Sequence, residues 1–401
     1  LFNNLFGCMN RLCLALVGLT QLLAVLVQAA GQATNAAQNR FGYELYTAKN
    51  GALHREATGN DHVNDLVHAV FVDSKGRVFV GTANGLAVYD GKQWTNRTFK
   101  IKGLSLAERA VLGVTSISKC GPQKIAEGPP GTVWLGGRGC GLWRLREGRY
   151  EEISSSPLDD YLGMAVDNGG SVWVVTRESV QKYNGRTWHE VLSPYIAGAV
   201  HRELPQLFGI VLGSNGNVWI GGTAYGNPQA PWKHDGAVWV VDQGRRERAD
   251  GPPMAALYEF DGKGWRAFGP PHGLGVQPRD TVIPELDGQG RVTVKTRGGI
   301  YVRDGENWTR VTELDVHAGR RWVLKALGAS RPPGYSAELL FRDGDRLVPV
   351  RATDQQTGEV LDLESEPLRV LRMAEDSSRG CIWLGTMHGL YRIWVEQEGA
   401  R

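Results

Sequence analysis

One phrase recurs along the chain and limits its fold more than any single residue does. In its first full form it reads Gly76-Arg77-Val78-Phe79-Val80-Gly81-Thr82, two spacer residues, then Gly85-Leu86-Ala87-Val88-Tyr89-Asp90-Gly91 and Trp94. It returns near the other end as Cys381-Ile382-Trp383-Leu384-Gly385-Thr386 and Gly389-Leu390-Tyr391-Arg392. Self-similarity at such a spacing marks a supersecondary unit that buries its faces only by stacking on its neighbours.

Each copy has a mechanical sense. An acidic residue and a Gly make a first turn, as in Asp73-Ser74-Lys75-Gly76, and a strand with a central aromatic follows. A Gly-containing turn leads to a second strand ending in Asp-Gly, a tight-hairpin signal because Gly tolerates positive φ. A third strand then opens with Trp. Trp and Val alternate with small residues, the period-two pattern of a packed sheet.

Further copies run Val133-Trp134-Leu135-Gly136 with Gly141–Leu145 and Tyr150, then Asp167–Val174 with Tyr183-Asn184-Gly185 and Trp188. A fourth starts at Asn215–Gly221 and resumes only at Leu257–Gly262 and Trp265. A fifth is Asp287–Val294 with Gly299–Gly305 and Trp308; a weaker sixth is Gly319–Val323 with Leu340–Gly344. The C-terminal copy makes seven. One more strand should precede each first turn, with candidates at Leu66–Val72, Leu162–Val166, Leu207–Leu212, Val282–Leu286 and Leu368–Met373.

Four antiparallel strands about every 40 to 50 residues describe a propeller blade. The expectation is an all-β, seven-bladed β-propeller over residues 41–395. Six or eight blades, or an open solenoid, are the alternatives. The last copy lacks an outer strand, and Phe41–Tyr46 precedes the first copy with alternating aromatics. These two segments should pair and close the ring, removing an exposed sheet edge.

The N-terminus reads as an export signal. Arg11 precedes an apolar run of 16 residues, Leu12–Val27, and Val27-Gln28-Ala29 supplies a cleavage pattern. The run is shorter than the roughly 20 residues a spanning helix needs. The expectation is a signal peptide over 1–29, with 1–8 as a start-site artefact, a linker over 30–40 and a tail over 396–401. This implies a periplasmic or secreted protein whose mature domain does not span a membrane. Net charge is +3 with both signs interspersed, which leaves no nucleic-acid footprint. In an oxidising compartment Cys120 and Cys140 are a disulfide candidate, while Cys381 opens an inner strand as a buried thiol.

The repeated phrase resembles the two-component regulator propeller repeat, with matches at Val78–Thr82 and Gly85–Gly91, Val133–Gly136 and Gly141–Leu145, and Ile382–Thr386 and Gly389–Arg392. The resemblance implies an extracytoplasmic sensor propeller. Such domains usually precede a connector, a membrane helix and an output domain; no kinase region is visible here. It says little about the ligand, because the matching residues build blades.

Propeller function sits in loops at one mouth of the ring. The short Asp turns share one face, and the longer links and middle hairpins share the other. The largest insertion, 224–255, holds Tyr225, Trp232 and His234. Other long links hold Tyr195, His201, Arg202, His272 and Arg279. Tyr225, Trp232, His234, Tyr195, His272 and Arg279 are therefore the candidate ligand-binding residues. The Asp-Gly aspartates read as structural.

No metal or cofactor pattern stands out. His54, His62 and His68 gather near Asp61 and Asp65, yet match no zinc spacing and read as surface or turn histidines. No Gly-x-Ser-x-Gly elbow occurs, and Gly136–Gly141 is a turn between strands. The leading function is thus a noncatalytic ligand-sensing or binding propeller. Its partner would be a glycan or other small extracytoplasmic ligand, together with a signalling protein or missing C-terminal output domain. The alternatives are a secreted propeller lyase or hydrolase, or a protein-interaction module. An enzyme should gather ionisable groups with perturbed pKa at the central mouth.

Overall fold

A computed structural model describes residues 41–53, 65–100, 119–129, 131–137, 139–153, 161–176, 179–192, 207–225, 255–277, 279–287, 289–311, 320–326, 337–354, 357–361 and 370–396. They form a seven-bladed β-propeller of antiparallel strands. Blade 1 is Val67–Val72, Val78–Thr82, Gly85–Tyr89 and Trp94–Arg97. Blade 2 is Lys124–Glu127, Thr132–Gly137, Gly141–Arg146 and Arg149–Ile153. Blade 3 is Gly163–Val166, Val172–Val175, Val180–Tyr183 and Trp188–Leu192. Blade 4 is Leu207–Leu212, Val218–Tyr225, Ala255–Phe260 and Trp265–Phe268. Blade 5 is Ile283–Leu286, Val292–Thr296, Gly299–Asp304 and Asn307–Val311. The described strands of blade 6 are Trp322–Ala326, Ala337–Asp343 and Arg346–Pro349. Blade 7 is Val370–Asp376, Cys381–Thr386 and Gly389–Val395, completed by Phe41–Tyr46.

The ring closes as the alternating aromatics of the first strand require. Phe41–Tyr46 pairs antiparallel with Leu390–Val395, Phe41 opposite Val395 and Tyr46 opposite Leu390. Among the elements not foreseen, Ala352–Asp354 adds in parallel to the outer side of Phe41–Tyr43 and covers that edge.

The core is divided among the gaps between blades. Successive side chains of a strand point to opposite faces, so each second strand serves two gaps. Val78 and Val80 pack toward blade 7, and Phe79 packs toward blade 2. Val218 and Ile220 pack toward blade 3, and Trp219 toward blade 5. Ile382 and Leu384 meet blade 6 while Trp383 meets blade 1. The aromatic at the centre of the repeat is thus the wedge driven into the following gap, and Phe79, Trp219 and Trp383 are buried there. Burying such a side chain stabilises by roughly 2 to 3 kcal/mol.

The Gly that ends the strand motif has a steric reason. A Cβ on Gly81 would stand 1.9 Å from the Pro122 carbonyl oxygen of blade 2's incoming link, and one on Gly221 would stand 2.2 Å from the Val282 carbonyl. The turn aspartates are caps. Asp73 Oδ1 accepts the backbone N–H groups of Lys75 (3.1 Å) and Arg77 (2.7 Å), while its other oxygen takes Arg77 Nε at 2.7 Å. Asp287 repeats this with Gln289 and Arg291. In the outer hairpins Asp90 accepts two backbone N–H groups at 2.8 Å each, which hold its carboxyl below the usual range. Bonds on this face also tie blades together: Ser74 donates to Glu127 from N (2.8 Å) and Oγ (2.6 Å), and Arg379 Nη1 donates to the Gly76 carbonyl at 2.7 Å.

Candidate functional site

The Asp turns occupy one face of the ring, so the blade-to-blade links and middle hairpins occupy the other. Every inner strand is reached from a link and therefore begins on that second face. Register defines one level near these beginnings. Ala69, Lys124, Gly209 and Arg372 stand opposite Gly81, Gly136, Gly221 and Gly385, the matching glycines of four blades. Gly163 and Ile283 hold the same place in blades 3 and 5, opposite Val175 and Lys295.

This level is small on one side and cationic on the other. A Cβ on Gly163 would meet Ile210 Cγ2 at 3.0 Å, and one on Gly209 would meet Pro284 Cδ at 3.5 Å. The side-chain direction therefore runs into a narrow gap against the next inner strand. At the same level blades 2 and 7 carry long cationic side chains, Lys124 and Arg372. Between them lies His68 of blade 1. The ladder skips His68, with Val67 opposite Thr82 and Ala69 opposite Gly81, so this residue is bulged out of the pairing. Bulges commonly re-aim a side chain.

The three groups lie on consecutive blades 7, 1 and 2, whose inner strands are neighbours. His68 and Lys124 both lie close enough to Arg372 to feel its charge. Burial, reinforced by the Arg372 charge, pushes His68 down to about 4. The same two causes, in the same order, push Lys124 down to about 8, and burial lowers Arg372. Lys124 makes no ion pair among the described residues. His68 is thus neutral at pH 7 and Lys124 mostly charged. The arrangement can present a positive, partly dehydrated wall with an imidazole donor or acceptor beside it.

Of the residues expected from sequence, Tyr225, His272 and Arg279 are described, and none belongs to this cluster. Tyr195, Trp232 and His234 lie outside the described residues, as do His54 and His62. Tyr225 ends the second strand of blade 4, its backbone paired with Ala255. A bridge between Thr223 and Thr281 sets the base of that hairpin beside the link carrying Arg279. Arg279 is exposed and in the left-handed region, with φ of 69°. His272 ends the short 3-10 turn Pro270–His272 and lies edge-on to Phe268 at 5.2 Å. Its Nδ1 accepts the Gly269 N–H at 3.3 Å, and burial lowers its pKa. That placement fits a turn packed on the core. His68 departs from the expectation of a surface or turn histidine: it is a half-buried inner-strand residue.

Sequence reasoning passed over Lys124 and Arg372. The signal was a cation at the inner-strand place where other copies carry Ala69, Gly163, Gly209 or Ile283. It was masked because blade 2 lacks the Asp turn that announces an inner strand. Cys140 is disulfide-bonded, and Cys381 is a free buried thiol. No group of three or more metal-ligating side chains occurs among the described residues, and no helix there is long and apolar enough to cross a membrane.

Solved structures match this arrangement. The extracellular domain of a protein described as a hybrid two-component system, BT4673 from B. thetaiotaomicron, has a TM-score of 0.50 at 14% identity. The match covers 88% of this chain and 39% of that one, so this chain spans well under half of its length. What is shared is the propeller fold. Virginiamycin B lyase from Staphylococcus aureus gives a TM-score of 0.46 at 10% identity, covering 89% of this chain and all of that one. The WD40 propeller domain of Doa1 gives 0.44 at 11% identity, covering 89% and 98%. Identities this low establish fold alone. No family model matches the chain, and no curated protein matches it.

Proposed function

We propose that this chain is an extracytoplasmic ligand-sensing propeller that takes a small molecule at the central mouth on its link face. The observation that carries this is the gathering of His68, Lys124 and Arg372, from three successive blades, around one level of the channel. Placing Lys124 and the imidazole of His68 beside the Arg372 charge is unfavourable to their protonated forms. Such an arrangement is typical of a functional site. The sensor reading is supported by the repeated phrase, which resembles propeller repeats of two-component regulators, and it agrees with a fold shared with the BT4673 extracellular domain. Under it, a signalling partner or output domain reads the bound state, and the leader directs the chain across the membrane. Cys120 is the proposed partner of the bonded Cys140.

The test is calorimetric titration of the chain with a panel of glycans and small organic ligands. Saturable binding that weakens at least tenfold on substitution of Arg372 or Lys124 is expected. Binding unaffected by both substitutions and lost on Trp232→Ala would move the site to the blade 4 insertion.

The same cluster favours a second reading. A lysine near 8 is protonated at neutral pH yet close enough to exchange a proton with a substrate. Turnover of any panel member, abolished in Lys124→Met, would identify an enzyme of this fold.

A further inference from the structure

We infer that the link face carries a second recognition point, an oxyanion-binding surface on blade 5 formed by Arg279, Arg297 and Arg310, which takes a carboxylate or sulfate group of a ligand. It stands apart from the central-mouth reading and does not rest on it.

The first observation is contact. The link that leaves blade 4 after Phe268 lies against the middle hairpin of blade 5. Thr296 Oγ1 donates to the Gly275 carbonyl at 3.1 Å, and a Cβ on Gly298 would stand 2.7 Å from the same oxygen. Arg297, in that hairpin, brings Nε to 3.7 Å from Oδ1 of Asp280, the residue that follows Arg279. Arg310 comes from the outer strand, opposite Tyr301, and a Cβ on Gly299 would stand 2.7 Å from its Nε. Two arginine side chains therefore lie against one hairpin, and the third belongs to the turn packed on it.

The second observation is unbalanced charge. Arg279 and Arg310 are exposed and make no ion pair among the described residues. The Arg297 side chain is 86% exposed and has only the buried Asp280 as counter-charge. That carboxylate is already engaged, because its Oδ2 accepts the Gln277 N–H at 2.9 Å. All three cations are arginines, whose planar fork matches carboxylate and sulfate oxygens.

The third observation is strain. The turn Gln277–Asp280 is closed by the Asp280 N–H on the Gln277 carbonyl at 3.0 Å. Arg279 stands at its third position with φ of 69°, a place that suits Gly or Asn. Among the described residues the only other non-glycine with positive φ is Glu147, in the tight hairpin between Gly141–Arg146 and Arg149–Ile153. Arg279 is exposed, so burial does not repay its backbone conformation. Strain of this kind is retained at sites that use the side chain.

The experiment is calorimetric titration with sodium sulfate, a sulfated oligosaccharide, an oligogalacturonate and a neutral oligosaccharide of the same length. Saturable binding of the charged probes that weakens as salt rises is expected, with a loss of roughly tenfold or more in the triple variant Arg279→Gln, Arg297→Gln, Arg310→Gln. A control removes the same charge from the Asp-turn face, through Arg146→Gln, Arg149→Gln and Arg186→Gln, and should stay within about twofold of the parent. Charged oligosaccharides binding far more tightly than sulfate make the source an acidic saccharide, and equal affinities make it a free inorganic anion. Arg279→Gly should keep or raise Tm while weakening the charged probes about threefold. Equal losses in both triple variants overturn the proposal, as does the absence of saturable binding by any charged probe. Charged-probe binding that survives the link-face triple variant and is lost in Lys124→Met or Arg372→Gln also overturns it, and returns the anion to the mouth.

Discussion

Lys124 and His68 show how one residue can cost stability and serve a site. Because the folded pKa of Lys124 lies below its ordinary 10.5, the unfolded chain binds more protons between about 8 and 10.5. The contribution of Lys124 to stability therefore rises with pH across that window and is unfavourable at neutral pH. Lys124→Met should raise stability at pH 7 by on the order of 1 to 2 kcal/mol, allowing for solvent at the ammonium. Denaturant unfolding checks this. For His68 the window lies between 6.5 and about 4: the folded protein holds the imidazole neutral, so stability falls as pH drops through it. His68→Asn should flatten that part of the stability curve relative to the parent.

Other residues serve the ring alone. Glu259 is 1% exposed and receives Arg303 Nη1 and Asn217 Nδ2, each at 2.6 Å, while the Arg303 guanidinium lies over Trp219 at 4.7 Å. Glu259→Ala would leave Arg303 without this counter-charge in the gap between blades 4 and 5, so a loss of roughly 2 to 4 kcal/mol is expected. Chemical unfolding of the variant, with unchanged ligand binding, would separate this structural role from the mouth.

At the scale of the element, the repeat phrase explains both what was legible and what was not. Strands two, three and four of most blades could be read from Val-aromatic-Val-Gly, Gly-Leu-Tyr and Trp, because each residue type answers a local demand. The aromatic fills the next gap, Gly81 admits the Pro122 carbonyl, and Asp90 caps its hairpin. Inner strands were harder. They carry no turn of their own at the start and bear irregular residues, so Lys124–Glu127 went unread. The parallel strand Ala352–Asp354 was equally invisible, since three residues cannot establish a period. The candidate site suffered the same way. Loop length drew attention to Tyr225, Trp232 and His234, whereas Lys124 and Arg372 come from separate repeats and are brought near only through ring geometry. Gly81→Ala tests the element account: with a carbonyl 1.9 Å from the new Cβ, a loss of about 3 kcal/mol is expected in thermal or chemical unfolding.

Across the whole molecule, stability depends on closure. The N-terminal strand completes blade 7 by six backbone register pairs, and Tyr46 joins Trp383 and Trp94 in the gap with blade 1. Arg392, opposite Glu44, lies over Trp383 and Trp394 and braces the seam. A proline at Leu45 should break pairing at the centre of this strand, expose a sheet edge and promote association, visible as a shift in light scattering. The closed ring in turn fixes blades 7, 1 and 2 side by side, and that adjacency sets Lys124, Arg372 and the neutral His68 on neighbouring inner strands. The most direct measurement is therefore the pKa of Lys124 itself, followed by NMR of its ε-methylene group and assigned by difference with Lys124→Arg. A value near 8 is predicted. A value near 10.5 would contradict a dehydrated Lys124 beside the Arg372 charge.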